Sequence, residues 1–166
     1  MKPMPVEHPP IAVVDLDGVL ADVRHRLHHI DGASKDWDAF FAGIPDDPPL
    51  AEGLAVVERL LADGHEIVFV TGRPERTRGD TERWLARHRL PRARVLMRRD
   101  GDRRPARQVK RAIVRRLATD RTVAVVVDDD PAVCDALEAD GRAVYRADWM
   151  DRAGPLHRAQ EGDGTT

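Results

Sequence analysis

Two carboxylates one residue apart, Asp15 and Asp17, follow a short apolar run and are the residues best suited to chemistry in this chain. The run Ile11–Val14 is typical of a buried parallel strand, which would deliver Asp15 to the sheet edge where open α/β sheets bind ligands. Residues i and i+2 of an extended segment point the same way, so both carboxylates can face one pocket before Gly18 turns the chain. A bound Mg²⁺ or a shared proton would offset their mutual repulsion. The alternative is a strand end followed by an Asp-rich turn.

Two further predicted strands also end in polar residues, which are Thr71-Gly72-Arg73 in one case and Asp128-Asp129 in the other. Because all strands of a parallel sheet end at the same edge, we expect these groups to converge on Asp15. Oxygen ligands without a cysteine or histidine set suit Mg²⁺, and Lys110 and Thr71 could hold a phosphate. A carboxylate such as Asp15 can accept a phosphoryl group, while Asp17 could protonate the leaving oxygen and later activate water.

Strands and helices alternate along the chain, which predicts a Rossmann-like α/β fold with a parallel sheet of about five strands and helices on both faces. The predicted strands are 11–15, 66–70, 93–97, 122–127 and 143–146, and the predicted helices are 36–42, 51–63, 76–89, about 105–118 and 131–140. Residues 19–50 break the alternation and predict a small cap insertion after the first strand. The predicted domain spans 11–150, between an extended, proline-rich lead-in at 1–10 and a flexible tail at 151–166.

The composition indicates a globular domain of 166 residues whose single cysteine, Cys134, has no partner for an internal disulfide. Residues 73–121 contain 18 Lys and Arg against 6 Asp and Glu, which favours a polyanionic partner such as nucleic acid or, alternatively, a solvated arginine-rich surface. His25 and His29 have i, i+4 spacing, but they do not complete a zinc pattern. No apolar run approaches the ~20 residues of a membrane span, and we expect a cytoplasmic location.

Four motifs, in this order, resemble those of the haloacid dehalogenase (HAD) superfamily of phosphatases: DLDGVLAD at 15–22, VTGR at 70–73, Lys110, and VVDDD at 126–130. The resemblance implies that Asp15 is the nucleophile and Asp17 the acid and base. The implied Mg²⁺ ligands are Asp15, the main-chain carbonyl of Asp17, Asp128 and Asp129, the last directly or through water. The implied contacts to the transferring phosphoryl group are Thr71 and Lys110.

A closer resemblance is to the phosphatase domain of polynucleotide kinase-phosphatases. It rests on HRLHHI and DWDAFF in the insertion, TGR at 71–73, TERWL at 81–85, VLMRR at 95–99, GDRRP at 101–105 and VKR at 109–111. It implies removal of 3′-phosphates from polynucleotides, or action on nucleotides as in some relatives, and it places Arg26 and Arg73 in the active site. Ala106 and Asp130 depart from the acidic residue and the arginine usual at these positions. The chain contains no GxxxxGK[ST] kinase motif, so a separate kinase is a candidate partner.

These observations give the expected substrate-binding residues as Arg24, Arg26, Gly72, Arg73 and Arg98. Only the 19–50 insertion could cover the site, so we expect an open site that admits extended substrates. The leading hypothesis is a Mg²⁺-dependent polynucleotide 3′-phosphatase that forms an aspartyl-phosphate. The alternatives are a nucleotidase or small-metabolite phosphatase and, from another class, a non-catalytic phosphate- or nucleic-acid-binding module.

Overall fold

Five parallel strands form the centre of the molecule, and a computed structural model describes residues 7–166. The strands are β1 (Ile11–Val14), β2 (Glu66–Pro74), β3 (Arg94–Arg98), β4 (Val123–Asp128) and β5 (Val144–Arg146). Their order in the sheet is β3-β2-β1-β4-β5, so the strand order reverses between β1 and β4. Ligands of open α/β sheets bind in the crevice at such a reversal, and Asp15 and Asp128 lie at this point. Of the predicted lead-in, residues 1–6 lie outside the described residues, and residues 7–10 contain no helix or strand.

Six α-helices are present in the described part of the chain. They are α1 (Trp37–Ala42), α2 (Ala51–Ala62), α3 (Arg78–Arg87), α4 (Ala106–Asp120), α5 (Pro131–Ala139) and α6 (Gly154–Gly162). Side chains of β1 alternate between the two faces of the sheet. Ile11 and Val13 pack in the apolar cluster that contains α4 and α5, whereas Ala12 and Val14 pack with α2, α3 and α6. The predicted α/β fold with helices on both faces is therefore confirmed.

Strand β2 continues through the Thr71-Gly72-Arg73 motif, four residues beyond its predicted end. It does so because Thr71 pairs with Met97 and Pro74 pairs with Arg98 of β3, with a shift of register between the two pairs. The backbone of the motif is consequently paired with β3 at the carboxyl end of the sheet and does not form a free loop.

The insertion at 19–50 contains α1 between two short 3₁₀ segments, Arg24–His29 and Ile44–Asp46. Asp36 caps α1 by accepting a hydrogen bond from the Ala39 amide at 2.9 Å. Phe40 is fully buried in the cluster that contains α2, which fixes the insertion to the body of the domain. The insertion is thus a packed layer over one end of the sheet.

The flexible tail predicted for residues 151–166 is wrong for this segment, because residues 154–162 form α6. Leu156 and Ala159 lie three residues apart on one face of α6 and are fully buried in the core. The chain then docks on the domain, and Thr165 and Thr166 are also buried. The terminal glycines and threonines indicated fraying, but the apolar pair upstream of them supplies the packing that orders the segment.

Candidate active site

Lys110 joins the ends of β1 and β4. Its Nζ lies 2.8 Å from Oδ2 of Asp15 and 2.7 Å from Oδ2 of Asp128, and none of the three residues is more than 2% exposed. Burial disfavours the charged form of Lys110, but the two carboxylates outweigh burial and raise the pKa of its ammonium above the usual value. Lys110 is therefore a fixed positive charge between two buried carboxylates.

Asp15, Asp128 and Asp129 each place a carboxylate oxygen within 4.8 Å of the others. Oδ1 of Asp129 is buried and has no hydrogen-bond partner within residues 7–166, whereas its Oδ2 lies 2.8 Å from Nε2 of His157. Burial and neighbouring carboxylates raise the pKa values of Asp15 and Asp129 above the usual value. Three carboxylates that repel each other would be stabilised by a hard divalent cation such as Mg²⁺, and the Asp129 oxygen that lacks a hydrogen-bond partner could be one of its ligands. The side chain of Asp17 lies outside this group.

Two arginines hold the side chain of Asp17. Nε of Arg73 donates to Oδ1 of Asp17 at 2.9 Å, a second nitrogen of Arg73 contacts the same oxygen, and a nitrogen of Arg26 reaches it at 3.3 Å. Oδ2 of Asp17 is buried and has no hydrogen-bond partner in the described part of the chain. Burial acts to raise the pKa of Asp17, but Arg73 and Arg26 outweigh it and hold the pKa below the usual value. The structure therefore brings Arg26 and Arg73 to the second carboxylate of the first motif.

The same arginines bind a carboxylate that the sequence did not single out. Asp47 follows the second 3₁₀ segment of the insertion, and its Oδ1 and Oδ2 accept hydrogen bonds from Arg26 at 2.7 and 2.8 Å. Arg73 also donates to Oδ2 of Asp47, at 3.1 Å, and Nε2 of His25 lies 2.7 Å from Oδ1. Asp47 stands in a stretch of aspartates and prolines that is typical of a turn, so no spacing signal marked it.

Gly72 lies against the backbone of Thr166. A Cβ on Gly72 would overlap the backbone of Thr166, so only glycine fits this approach. Arg98 is buried and donates to the carbonyl oxygens of Gly72 at 3.1 Å and Thr166 at 3.0 Å. Arg98 therefore joins the phosphate-binding edge expected at Thr71 to the segment that follows α6.

Arg24 lies apart from the other predicted substrate-binding residues. Its exposed guanidinium forms ion pairs with Asp22, at 2.6 Å, and with Asp151. In residues 7–166, neither Arg24 nor Arg98 forms an ion pair with Asp15 or Asp17. The structure thus assembles Arg26, Gly72 and Arg73 around the predicted site and leaves Arg24 on the surface.

The site is closed, contrary to the expected open site. Asp15 and Asp17 are each 2% exposed. Arg26 of the insertion lies against Asp17, with its Cζ 4.1 Å from the centre of the Phe40 ring, and the segment around Thr166 covers Gly72. Because Asp15 is this deeply buried, a substrate phosphate can reach it only if part of the surrounding structure moves.

A family model described as the polynucleotide kinase PNKP phosphatase domain matches residues 9–148, which contain the sheet, the insertion and the carboxylates of Asp15, Asp17, Asp47, Asp128 and Asp129. The chain belongs to this family of HAD-type phosphatase domains. The resemblance read from the motifs is therefore confirmed. No curated protein sequence matches the chain.

Solved structures share the fold of this HAD-type domain. A chain of the Pnkp1/Rnl/Hen1 RNA repair complex superposes with a TM-score of 0.70 at 21% identity, over 86% of this chain and 43% of that one. The class C acid phosphatase from Bacillus anthracis gives 0.60 at 16% identity, over 92% and 73%. D,D-heptose 1,7-bisphosphate phosphatase from B. bronchiseptica, in complex with magnesium and phosphate, gives 0.56 at 18% identity, over 94% of both chains. The chain spans less than half the length of the chains that it matches in the Pnkp1/Rnl/Hen1 complexes.

Ala106 and Asp130, the two residues that depart from the family pattern, have different surroundings. Ala106 is fully buried at the start of α4. Asp130 caps α5, since its Oδ1 accepts a hydrogen bond from the Ala132 amide at 2.9 Å. Burial and the neighbouring Asp128 raise the pKa of Asp130 to about 6. Asp130 therefore has a structural role in this HAD-type domain.

His157, like Asp47, is a site residue that the sequence did not predict, because it lies in the segment predicted to be flexible.

The three histidines of the insertion, His25, His28 and His29, form no metal-binding group within residues 7–166. Cys134 is buried, and burial raises the pKa of its thiol to about 12. Between residues 7 and 166, no helix has the length and apolar character needed to cross a membrane.

Proposed function

We propose that the chain is a Mg²⁺-dependent phosphomonoesterase that removes 3′-phosphates from polynucleotides through an aspartyl-phosphate on Asp15. The observation that carries the proposal is the convergence of Asp15, Lys110 and Asp128 with the arginine-bound Asp17 at one edge of the sheet. The match to the PNKP phosphatase family supports the class of substrate. A fold neighbour from an RNA repair complex and the arginine-rich stretch at 73–121 also favour nucleic acid.

In the proposed reaction, an oxygen of Asp15 attacks phosphorus while the bond from phosphorus to the leaving oxygen breaks. Asp17 gives its proton to that oxygen. In the second step Asp17 takes a proton from water, the water oxygen attacks phosphorus, and inorganic phosphate leaves Asp15. Lys110 and the Thr71 hydroxyl donate hydrogen bonds to the phosphoryl oxygens throughout.

Asp15, Asp128, Asp129 and the carbonyl of Asp17 would hold Mg²⁺ in this site. When bound, Mg²⁺ offsets the charge of the carboxylates and of the phosphoryl oxygens. In the absence of substrate the two arginines keep Asp17 ionised, as its lowered pKa indicates. A dianionic phosphate bound nearby opposes the arginines and favours the protonated form that the first step needs.

The closed site favours a second candidate, a phosphatase of nucleotides or other small metabolites. A small phosphate ester needs a smaller movement of the covering segments than a polynucleotide does. The two candidates differ in how activity depends on the length of the substrate and on salt, since contacts to several backbone phosphates weaken steeply as salt rises.

The test is phosphate release, with Mg²⁺ or with EDTA, from a 3′-phosphate oligonucleotide, a 5′-phosphate oligonucleotide, 3′- and 5′-mononucleotides and p-nitrophenyl phosphate. We expect preference for the 3′-phosphate oligonucleotide, activity only with Mg²⁺, and loss of turnover in Asp15→Asn. Preference for mononucleotides would establish the second candidate. A folded protein without turnover on any of these substrates would contradict both and favour a binding module.

A further inference from the structure

Asp47 is a buried carboxylate to which the proposed reaction gives no role. Its side chain is fully buried; Arg26 binds both of its oxygens, and Arg73 binds Oδ2. Its main chain is fixed as well, because Nε1 of the buried Trp84 donates to the carbonyl oxygen of Asp47 at 2.8 Å. The insertion therefore contacts α3 at the point where it delivers this carboxylate.

Asp47 and Asp17 share the same two guanidinium groups. Arg26 and Arg73 each contact both carboxylates, so two negative and two positive groups form a compact buried cluster. Buried ion pairs of this kind are often no more stabilising than apolar residues of the same volume. Removing these four charged groups from water costs free energy, so added stability does not explain the cluster. The fixed geometry that the cluster gives to Asp17 explains it better.

The two oxygens of Asp17 have different surroundings. Oδ1 receives the contacts from Arg26 and Arg73, whereas Oδ2 is buried without a hydrogen-bond partner in residues 7–166. Only Oδ2 is free to carry a proton to a leaving group. The arginines determine its direction, and Asp47 determines where the arginines lie.

We propose that Asp47 is a positioning residue, which holds Arg26 and Arg73 so that Oδ2 of Asp17 faces the leaving oxygen of the substrate. The inference rests on the proposed phosphatase function. Without the Asp47 charge, the guanidinium groups of Arg26 and Arg73 lose their contacts with Asp47. They are then free to move, so they no longer fix the orientation of the Asp17 carboxylate. Asp15 and Lys110 form no hydrogen bond or ion pair with Asp47 in the described residues, so attack on phosphorus stays intact.

This role makes the defect depend on the leaving group. A ribose or deoxyribose oxygen leaves poorly as an alkoxide and needs a proton from Asp17. The p-nitrophenolate ion is a stable anion and leaves without one. Because kcat/KM covers only the steps up to departure of the leaving group, a comparison of this constant for the two substrates isolates proton donation.

The experiment measures kcat/KM of Asp47→Asn and of the control Asp46→Asn, with a 3′-phosphate dinucleotide and with p-nitrophenyl phosphate. Asp46 is the exposed neighbour of Asp47, so its substitution makes the same change of charge outside the cluster. We expect Asp47→Asn to lower kcat/KM at least about 30-fold for the dinucleotide and less than about threefold for p-nitrophenyl phosphate, since general acid catalysis contributes ~10²–10⁴-fold. Asp46→Asn should resemble the wild type with both.

If Asp47→Asn alone fails to fold, Asp47→Glu serves instead, because it keeps the charge of the cluster and displaces the carboxylate by one methylene group. We expect it to retain the selective loss on the dinucleotide. An equal loss with both substrates, or no loss, would overturn the positioning role. An inactive wild type would instead overturn the proposed function on which the inference rests.

Discussion

Gly18 lies so close to Asp129 that a Cβ on Gly18 would overlap the Asp129 carboxylate. Gly18 also has a φ of +83°, a conformation that glycine adopts without steric cost. The turn after the first motif therefore has two requirements for glycine, one from its backbone and one from the carboxylate expected to bind Mg²⁺.

Gly18→Ala should weaken Mg²⁺ binding at least about tenfold, because the methyl group displaces Asp129 from the other two carboxylates. Isothermal titration calorimetry of the purified protein measures this directly. Gly141→Ala is the matched control, since Gly141 has a φ of +76° and open space around its Cβ position. Both variants carry a similar backbone strain of about 1 kcal/mol, so equal Mg²⁺ affinities in the two would contradict the account.

Lys110→Met should lower the free energy of unfolding of the metal-free protein at pH 7 by about 3–5 kcal/mol, because it leaves buried carboxylates without their cation. The pKa of Asp15 is raised in the folded state, chiefly by burial, so protonation of Asp15 restores stability as the pH falls, and the deficit should shrink towards pH 4. Urea unfolding in EDTA at several pH values tests this. Lys35→Met, which removes a half-buried surface pair with Asp163, should cost no more than about 1 kcal/mol. Similar losses in both variants at pH 7 would argue against the buried cluster.

Gly164→Ala should release residues 163–166 from the domain. Gly164 has a φ of +57°, and a Cβ on it would overlap the main-chain carbonyl of Arg103. We expect faster hydrogen exchange at the amides of Thr165 and Thr166, measured by mass spectrometry. Gly162→Ala, where the added Cβ meets open space, should leave exchange at both threonines unchanged. Slow exchange in Gly164→Ala would show that the segment does not depend on this close approach.

Asp130→Asn should stabilise the metal-free protein at neutral pH, by up to about 3 kcal/mol. The pKa of Asp130 is raised to about 6, so the folded state binds this proton more tightly than the unfolded chain does. The wild type therefore loses stability as the pH rises from about 4 to 6, whereas the variant, which keeps the α5 cap, avoids that loss. The advantage should vanish below about pH 4. An advantage that is the same at pH 4 and pH 7 would point to another cause.

The sequence predicts the parts of this domain that depend on local pattern. Apolar runs that end in Asp15 and Asp128 define the strands, and parallel topology brings their ends to one edge. The sequence does not predict the contacts that depend on long-range packing. Asp47 meets Arg73 only after the insertion folds onto α3, and His157 reaches Asp129 only because α6 packs in the core. The contact of Arg26 with Asp17 likewise depends on the packed insertion.

The central claim is that the phosphoryl group passes through Asp15, and the most direct test uses a 3′-phosphate oligonucleotide labelled with ³²P in the terminal phosphate. The reaction with Mg²⁺ is stopped in acid within the first turnover, and the protein is digested and mapped. We expect transient label on the peptide that contains Asp15, and neither label nor phosphate release in Asp15→Asn. Rapid release of phosphate by Asp15→Asn, or turnover by the wild type with the label on a different peptide, would contradict the account.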